Sequence, residues 1–199
     1  MIYPKALEEV IEYYKKLPGI GEKTAERLAL ASMEIDDENT NRMLNNLKIL
    51  KNLKKCSVCG HISEKDVCTI CLDEERNKNL ICVIEDYKSV FAFEKAGNFK
   101  GVYHVLGGLI SPVDDITPDD INLSTLVKRT DSLENPELII ALKSTIEGET
   151  TTLYIKKIFE KKNVKISRLS YGIPIGADID YLDFMTLDRA LSDRKEISE

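Results

Sequence analysis

The sequence predicts a multidomain protein of mixed α+β and α/β class. Three observations lead to this prediction. Apolar residues recur at spacings of three and four through residues 1–55, which is the period of helices. Four cysteines then fall within residues 56–71, and short apolar runs separated by amphipathic stretches follow over residues 78–170. Residues 171–199 complete the chain as a loop and a polar tail with helical spacing.

Composition restricts the kinds of partner that the chain can bind. Of its 199 residues, 43% are apolar and 31% are charged, as in ordinary soluble globular proteins. The net charge of -6 argues against a surface coated in positive charge, so any contact with nucleic acid must be local. There is no signal-peptide pattern at the start and no apolar run of the ~20 residues that span a bilayer. We therefore expect a cytoplasmic protein without a membrane partner.

Three helices are predicted in the N-terminal region. Residues 3–17 and 22–33 have amphipathic patterns that are separated by a Gly-rich turn. The acidic segment 36–39 is expected to be a loop that caps the third helix. The apolar stripe of this third helix consists of Met43, Leu44, Leu47, Leu50 and Leu53.

The turn between the first two helices has the pattern of a helix-hairpin-helix. Gly19 and Gly21 permit unusual backbone angles and let a partner approach closely. The second helix begins just after Gly21, and its free N–H groups form a site for phosphate. Lys23 and Arg27 are four residues apart on one face of this helix. We predict that these four residues hold a phosphodiester backbone without reading bases.

The alternative is that this segment is only a tight turn between two packed helices. The charged residues on the surface of the helices would then have no role in binding. Further basic residues follow, and from residue 43 to residue 55 there is no acid. This stretch can extend a basic track or form a solvated face. Its basic residues, with the one that precedes it, are Arg42, Lys48, Lys51, Lys54 and Lys55.

The cysteines predict a metal centre. Cys56, Cys59, Cys68 and Cys71 form two Cys-x2-Cys pairs with eight residues between them. Two such pairs place four thiolates at the corners of a tetrahedron, the geometry that Zn²⁺ prefers. Because four protein ligands leave no position for water, the zinc should be structural; a pair of redox dithiols is the alternative. His61 is expected to be solvent-exposed or hydrogen-bonded to a ligand.

Apolar runs indicate the strands of the following domain. They predict a parallel or mixed sheet covered by helices, because short buried strands alternate with helical stretches. Cys82 lies within the first run and is expected to be a small buried side chain. The predicted strands are residues 80–84, 102–106, 138–142 and 164–169, and the predicted helices include residues 89–96 and 150–161.

Acidic residues follow two of the predicted strands. Glu85 comes directly after the first strand, and Glu147 and Glu149 follow the third after a short loop. Carboxylates at strand ends often meet in one crevice, where they suit Mg²⁺; the alternative is that they are exposed loop acids. Catalysis would also need a nucleophile or an activated water, and no residue is singled out for that role. His104 and His61 form no visible acid–base pair, so we expect no catalytic residues.

Taken in this order, these segments resemble the RecR family of bacterial recombination mediators. The resemblance covers nearly the whole chain, from about residue 7 to residue 194. Its most specific motifs are Tyr103-His104-Val105-Leu106-Gly107-Gly108 with Ser111-Pro112, Glu147-Gly148-Glu149-Thr150-Thr151, and Tyr171-Gly172-Ile173-Pro174-Ile175-Gly176.

This resemblance implies a domain order and a function. The domains would be a helix-hairpin-helix DNA-binding region (1–55), a zinc finger (56–71), a Toprim-like domain (78–170) and a C-terminal loop with a subunit-packing tail (171–199). The protein would be a nucleoid-associated mediator of recombinational DNA repair that forms a homo-oligomeric ring, with four subunits as the expected number. It would act with RecO and RecF at single-strand gaps and junctions, where it helps to load the recombinase.

The resemblance also assigns roles to residues. Lys23 and Arg27 match DNA-contacting positions, and the four cysteines match zinc ligands. Glu85, Glu147 and Glu149 match Toprim acidic positions, which in this family are linked to RecO binding and not to cleavage. Active Toprim enzymes usually carry Asp-x-Asp where this chain has Glu-Gly-Glu, and two loops depart from the family at residues 143–144 and 177. Two alternatives stay open: a Mg-dependent Toprim nuclease or primase-like phosphotransferase, and an adaptor that touches DNA only within a partner complex.

Overall fold

A computed structural model describes residues 3–170, 172–194 and 196. The chain divides after Leu53 into two compact units. The first contains α1 (Lys5–Lys15), α2 (Glu22–Ser32) and α3 (Asp37–Lys51). No helix in the described part of the chain has both the length and the apolar character needed to cross a membrane.

The first unit has a very small core. Ile11 of α1 packs against Ala25 and Ala29 of α2, and these are its fully buried apolar residues. The two alanines let the helices approach closely. Two side-chain contacts support the pair, because the Tyr3 hydroxyl bonds to Glu26 and the Tyr14 hydroxyl lies 2.8 Å from Ser32 Oγ. The partly buried residues around this core are Tyr3, Leu7, Tyr14 and Ile20.

Helix α3 starts earlier than the sequence pattern predicts. Asp36 is its N-cap and accepts a hydrogen bond from Asn39 N at 2.8 Å, so most of the predicted acidic loop is the first turn. The predicted apolar stripe is present except for Leu53, which lies beyond the helix end. However, α3 buries no residue in the described structure. Its exposed apolar side chains are Met43, Leu44, Leu47, Ile49 and Leu50.

The second unit is built on a four-stranded parallel sheet. In it β3 (Leu80–Ile84) lies between β4 (Val102–Val105) and β5 (Glu137–Ala141), and β6 (Lys165–Arg168) pairs with the other side of β5. All three pairings are parallel, which decides between the two predicted sheet types. A two-stranded antiparallel ribbon and short α4 precede the sheet, and α8 follows it. The elements are β1 (Lys54–Lys55), β2 (Ile62–Ser63), α4 (Thr69–Leu72), β3 (Leu80–Ile84), α5 (Tyr87–Ala96), β4 (Val102–Val105), α6 (Leu123–Asp131), β5 (Glu137–Ala141), α7 (Ile146–Phe159), β6 (Lys165–Arg168) and α8 (Phe184–Ser192).

Both faces of the sheet are buried, which explains the continuous apolar runs. Successive side chains on a strand point to opposite faces. Ile81 and Val83 therefore pack with residues of α6 and α7, while Cys82 and Ile84 pack with Val90 of α5. The predicted burial of Cys82 is confirmed, with 1% of its surface exposed.

Caps explain why two helices of this unit start before their predicted positions. Asp86 accepts from Lys88 N at the start of α5, and Thr145 accepts from Gly148 N at the start of α7. The Glu147–Glu149 segment consequently lies in the first turn of α7. A Cβ at Gly148 would overlap the carbonyl oxygen of Lys143, so this turn requires glycine.

The C-terminal tail buries no side chain of α8. Asp183 caps this helix by accepting from Thr186 N at 2.9 Å. Tyr171, the first residue of the predicted loop motif, lies outside the described residues. Exposed apolar side chains of the tail are Ile173, Ile175, Ile179, Tyr181, Phe184, Met185 and Leu191.

Candidate DNA-binding hairpin and metal centre

The hairpin between α1 and α2 leaves its backbone open to a partner. Gly19 has a φ of +82°, the left-handed region that glycine tolerates best. Gly21 is the N-cap of α2 in an extended conformation, and no side chain caps the helix there. A Cβ at either glycine would have no neighbour within 4 Å. The first N–H groups of α2 are therefore available to an anion.

Lys23 and Arg27 lie on the exposed side of α2, away from the buried Ala25 and Ala29. Neither cation makes a hydrogen bond or an ion pair with another described residue. The nearby Glu26 carboxylate is engaged by the Tyr3 hydroxyl. Two unpaired cations and the free amides of a helix start can together bind a phosphate.

The four predicted cysteines come together. Their sulfur atoms all lie within 4.8 Å of one another, and Cys59 Sγ is 3.6 Å from Cys68 Sγ. A tetrahedral site with Zn–S bonds of ~2.3 Å places its sulfurs about 3.8 Å apart. Cys56, Cys59 and Cys68 are buried. This donor set fits Zn²⁺, and within the described residues it is the only cluster of histidines, cysteines and acids able to hold a metal.

Backbone N–H groups point at the sulfurs. His61 N donates to Cys59 Sγ at 3.5 Å, and Cys68 N donates to Cys56 Sγ at 3.3 Å. The hydrogen bonds among the sulfurs lower the pKa of Cys68 and raise that of Cys59, so the first thiolate of the cluster forms at Cys68. The thiolate is the form that binds metal, and the two backbone N–H groups stabilise it.

Of the two expectations for His61, solvent exposure is wrong, whereas a hydrogen bond to a ligand is present through its backbone N–H. His61 is 7% exposed, and its ring packs edge-on against Phe91 with 5.3 Å between centroids. Its Nδ1 is buried without a hydrogen-bond partner in the described structure. Burial lowers the pKa of the ring. The contact of His61 with the cysteine centre is made by its backbone, which a sequence pattern does not reveal.

The finger is fixed to the sheet. Val105 N of the edge strand β4 donates to Cys59 O at 2.7 Å. Gly60 has a φ of +74°, and a Cβ there would lie 2.7 Å from Val105 O and 2.8 Å from Asn122 Nδ2. Lys78 Nζ donates to Cys71 O at 2.9 Å. The finger thus covers an edge strand that would otherwise be open to pairing.

Two of the three predicted acids are paired with cations of the same chain. Lys143 Nζ lies 3.0 Å from Glu85 Oε1. Glu149 Oε1 lies 3.4 Å from Arg168 and 3.5 Å from Arg189. In Glu147, a hydrogen bond from the Thr145 hydroxyl lowers the carboxyl pKa. In the described residues the three carboxylates do not come together as one set of oxygen ligands. Binding of Mg²⁺ remains the untested alternative that the sequence left open.

The sequence pattern does not predict a polar network that involves Arg76, in the segment that follows the finger. The Arg76 guanidinium binds both oxygens of Glu94, at 2.9 and 2.6 Å, and also Gly101 O at 3.2 Å. The Tyr103 hydroxyl donates to Glu94 at 2.6 Å. The Arg76 hydrogen bonds lower the pKa of Glu94, and burial raises that of Tyr103. This network holds the segment after the finger to α5 and β4.

His104 has the expected core role. It is fully buried, and its Nε2 lies 2.7 Å from Asn122 O, so this nitrogen carries the proton. Burial lowers its pKa to about 4. The bond fastens the start of α6 to β4.

Comparisons with known proteins cover all of these regions. Residues 7–50 match the RecR helix-hairpin-helix family, and residues 53–73 match the four-cysteine zinc finger domain of RecR. Residues 79–170 match the Toprim domain, and residues 172–195 match the RecR C-terminal family.

Similar proteins share nearly the full length. A Recombination protein RecR of Natranaerobius thermophilus is 44% identical over 196 residues, which cover 98% of both chains. A Recombination protein RecR of Staphylococcus aureus is 43% identical over 198 residues, 99% of this chain and 100% of the relative. A Recombination protein RecR of Streptococcus uberis is 44% identical over the same shares. The chain therefore belongs to the RecR family of recombination proteins.

Proposed function

We propose that this chain is a mediator of recombinational DNA repair: a zinc-containing, ring-forming DNA clamp and adaptor. It acts with RecO and RecF at single-strand gaps and helps to load the recombinase. The observation that carries the proposal is the open hairpin, where Lys23 and Arg27 have no partner among the described residues and lie beside the first N–H groups of α2. The hairpin residues Gly19 and Gly21 admit the DNA backbone, and the grip reads no bases.

Self-association is supported by the exposed apolar side chains. The stripe on α3 and the tail residues around α8 are left uncovered by the described chain. Apolar faces of this kind are typical of protein interfaces. A ring, with four subunits as the expected number, can line its hole with the hairpin cations while the outside stays acidic at a net charge of -6 per subunit. Several weak phosphate contacts then add through avidity.

We assign a structural role to the metal. Cys56, Cys59, Cys68 and Cys71 would hold Zn²⁺ with no open position, so the ion supplies folding energy and no chemistry. The finger (56–71) and the Toprim-like domain (78–170) then act together as one platform. The tail (171–199) would pack between subunits.

The acidic positions are assigned to partner binding. Glu85, Glu147 and Glu149 would form a surface for RecO and would not act as catalytic residues. Glu85 and Glu149 are ion-paired with Lys143 and Arg168, so a metal ion at these carboxylates would have to compete with cations of the same chain. Mg²⁺-dependent DNA cleavage that disappears in Glu85→Gln would contradict it.

The direct test is a titration of gapped DNA at several salt concentrations. Wild-type protein is compared with Lys23→Ala/Arg27→Ala and with Lys156→Ala/Lys157→Ala, a control that removes the same charge from the exposed side of α7. We expect the hairpin variant to bind more weakly, and each lost phosphate contact reduces the salt slope by about 1. Equal binding by the wild type and the hairpin variant would refute the proposal that the hairpin binds the DNA backbone. If the wild type does not bind alone, adding a RecO-type partner separates a partner-loaded ring from a pure protein adaptor.

A further inference from the structure

A cleft of about 600 Å³ lies between the finger and the sheet, within the second unit. It belongs neither to the hairpin nor to the acidic positions. Its volume is within the range of ligand sites for small organic molecules, about 300–1,000 Å³. One wall consists of Lys55, Cys56, Ser57, Gly60 and Ile62. The other consists of Asp86, Tyr87, Val105, Leu106, Gly107, Asp120, Ile121, Asn122, Ser124 and Thr125.

The floor of the cleft is a glycine turn at the end of β4. Gly107 has a φ of +80°, and its N–H donates to Glu85 O at 2.8 Å. A Cβ at this position would lie 3.7 Å from Lys55 Nζ. The Lys55 ammonium group therefore lies close to a lining residue that carries no side chain.

The uncommitted groups of the cleft are mainly donors. The Lys55 ammonium and the hydroxyls of Tyr87, Ser124 and Thr125 make no hydrogen bond or ion pair with any described residue. The two carboxylates that line the cleft keep their charge, but each is fixed by hydrogen bonds within the chain. Asp86 caps α5 through Lys88 N at 2.7 Å, and Asp120 accepts from the backbone and hydroxyl of one threonine at 2.8 and 2.6 Å. These groups favour a ligand that is rich in acceptors, such as one carrying phosphates and carbonyls, over a basic peptide.

An aromatic ring stands at the side of this cleft. Tyr87 is 37% exposed and packs edge-on against Phe91, with 6.3 Å between centroids. Phe91 in turn contacts the buried ring of His61. The Tyr87 ring thus has one aromatic neighbour, and part of its surface stays accessible to a ligand. Base stacking on such a ring needs an unpaired base, as in a single strand.

We propose that this cleft binds a nucleotide of single-stranded DNA, with the base on Tyr87 and the phosphodiester on Lys55. The proposal rests on the proposed function in that DNA is the ligand, and it adds a second contact in a different unit from the hairpin. The hairpin grips backbone of any strand, whereas the cleft requires an unpaired base. The finger forms one wall, so the cleft also depends on the metal centre.

The test measures binding of a fluorescent oligothymidine by anisotropy. Tyr87→Ala, Tyr87→Phe and Lys55→Ala are each made with the intact hairpin and in the Lys23→Ala/Arg27→Ala background. Lys65→Ala is the matched control, because it removes a lysine from the finger outside the cleft. Zinc content is measured for every variant, since Lys55 precedes a ligand.

We expect Tyr87→Ala to weaken binding about tenfold, the usual effect of one lost stacked base, and Tyr87→Phe to change it less than about twofold. Lys55→Ala should reduce the salt slope by about 0.7, as for one phosphate of a single strand. Lys65→Ala should bind like its parent. Ultraviolet crosslinking of the oligothymidine should map to the peptide that contains Tyr87.

Unchanged binding by both Tyr87→Ala and Lys55→Ala in both backgrounds would overturn the cleft, and gapped-DNA binding through the hairpin would be unaffected by that result. If only the hairpin variant loses binding to gapped DNA, that result tests the hairpin. Binding of oligothymidine by the Tyr87 and Lys55 variants still decides the proposal for the cleft. A second outcome would also make the proposal wrong. If Tyr87→Ala abolishes binding of an arginine-rich peptide but does not change binding of oligothymidine, the cleft binds a protein partner.

Discussion

The two units of this chain use their apolar residues differently. In the first unit the fully buried apolar residues are Ile11, Ala25 and Ala29, and α3 buries none. In the second unit both faces of a parallel sheet are covered, and a cysteine cluster closes one edge. The first unit therefore leaves both its cations and its apolar stripe for other molecules. The second unit, apart from the exposed apolar residues of its tail, covers its own core and provides the platform.

This contrast makes the same kind of substitution behave differently in the two units. Changes in the second unit should act on folding, because its functional parts are also its structural parts. Changes in the first unit should act on binding and assembly with little effect on folding.

Loss of a cysteine ligand should have the largest effect. Cys59→Ser should release zinc and destabilise the protein by several kcal/mol, since structural zinc contributes ~10–16 kcal/mol to the folding of small fingers. Zinc content and urea unfolding measure the two effects. Cys82→Ser is the control, because it changes a buried cysteine outside the cluster and should keep the metal. A Cys59→Ser protein as stable as the wild type would contradict the structural role.

Two glycines with positive φ provide a matched pair across the units. Gly60→Ala adds a Cβ only 2.7 Å from Val105 O, so it should cost about 3 kcal/mol from clash and backbone strain. Gly19→Ala meets nothing within 4 Å and should cost about 1 kcal/mol from strain alone. Urea midpoints measure both values. Equal costs would show that the finger is not tightly docked on β4.

His104 should make the second unit sensitive to acid. Its pKa is about 4 when folded and near 6.5 when unfolded, so the unfolded chain takes up the proton first. Stability from this site is complete above pH 6.5 and is lost as the pH falls toward 4, by on the order of 2 kcal/mol at pH 5. Urea unfolding at pH 7.5 and pH 5 measures the loss. His104→Gln, which keeps a donor and cannot titrate, should lose less; an equal loss would assign the effect elsewhere.

Charge on the α3 stripe should have the smallest effect on folding and a clear effect on assembly. Leu50 is 60% exposed, so Leu50→Glu should change the free energy of unfolding by no more than about 0.5 kcal/mol. If the stripe is a subunit contact, the mass in solution should fall toward the 22.5 kDa of one chain. Light scattering measures this, with Asn45→Glu, on the opposite face of the same helix, as the control. An unchanged mass would place the subunit contact elsewhere.

Local sequence patterns predict the features of the fold that depend on residues close together in the chain. The apolar run Leu80–Ile84 is a strand over its whole predicted length, and the two cysteine pairs converge as their spacing predicts. Helix starts are missed by two to four residues, because the caps Asp86 and Thr145 lie outside the apolar pattern.

Contacts between distant residues are not visible in the sequence. The hydrogen bond from Val105 to Cys59 joins positions 46 residues apart, and the Arg76–Glu94 pair joins a loop to a helix. The same holds for Lys143, whose pairing with Glu85 alters the predicted acidic site. Each of these contacts requires the topology of the sheet to be known first.

The measurement that tests the account most directly is a loading reaction on gapped DNA covered by single-strand-binding protein. The reaction contains Mg²⁺, the recombinase and a RecO-type partner. It is run with the wild-type protein, with Lys23→Ala/Arg27→Ala and with Glu85→Gln. Recombinase loading and the integrity of the DNA are both measured. We predict that the wild type stimulates loading, that the hairpin variant does not, and that the DNA stays intact throughout. Mg²⁺-dependent cleavage or synthesis by this chain alone, abolished in Glu85→Gln, would contradict the account and identify an enzyme.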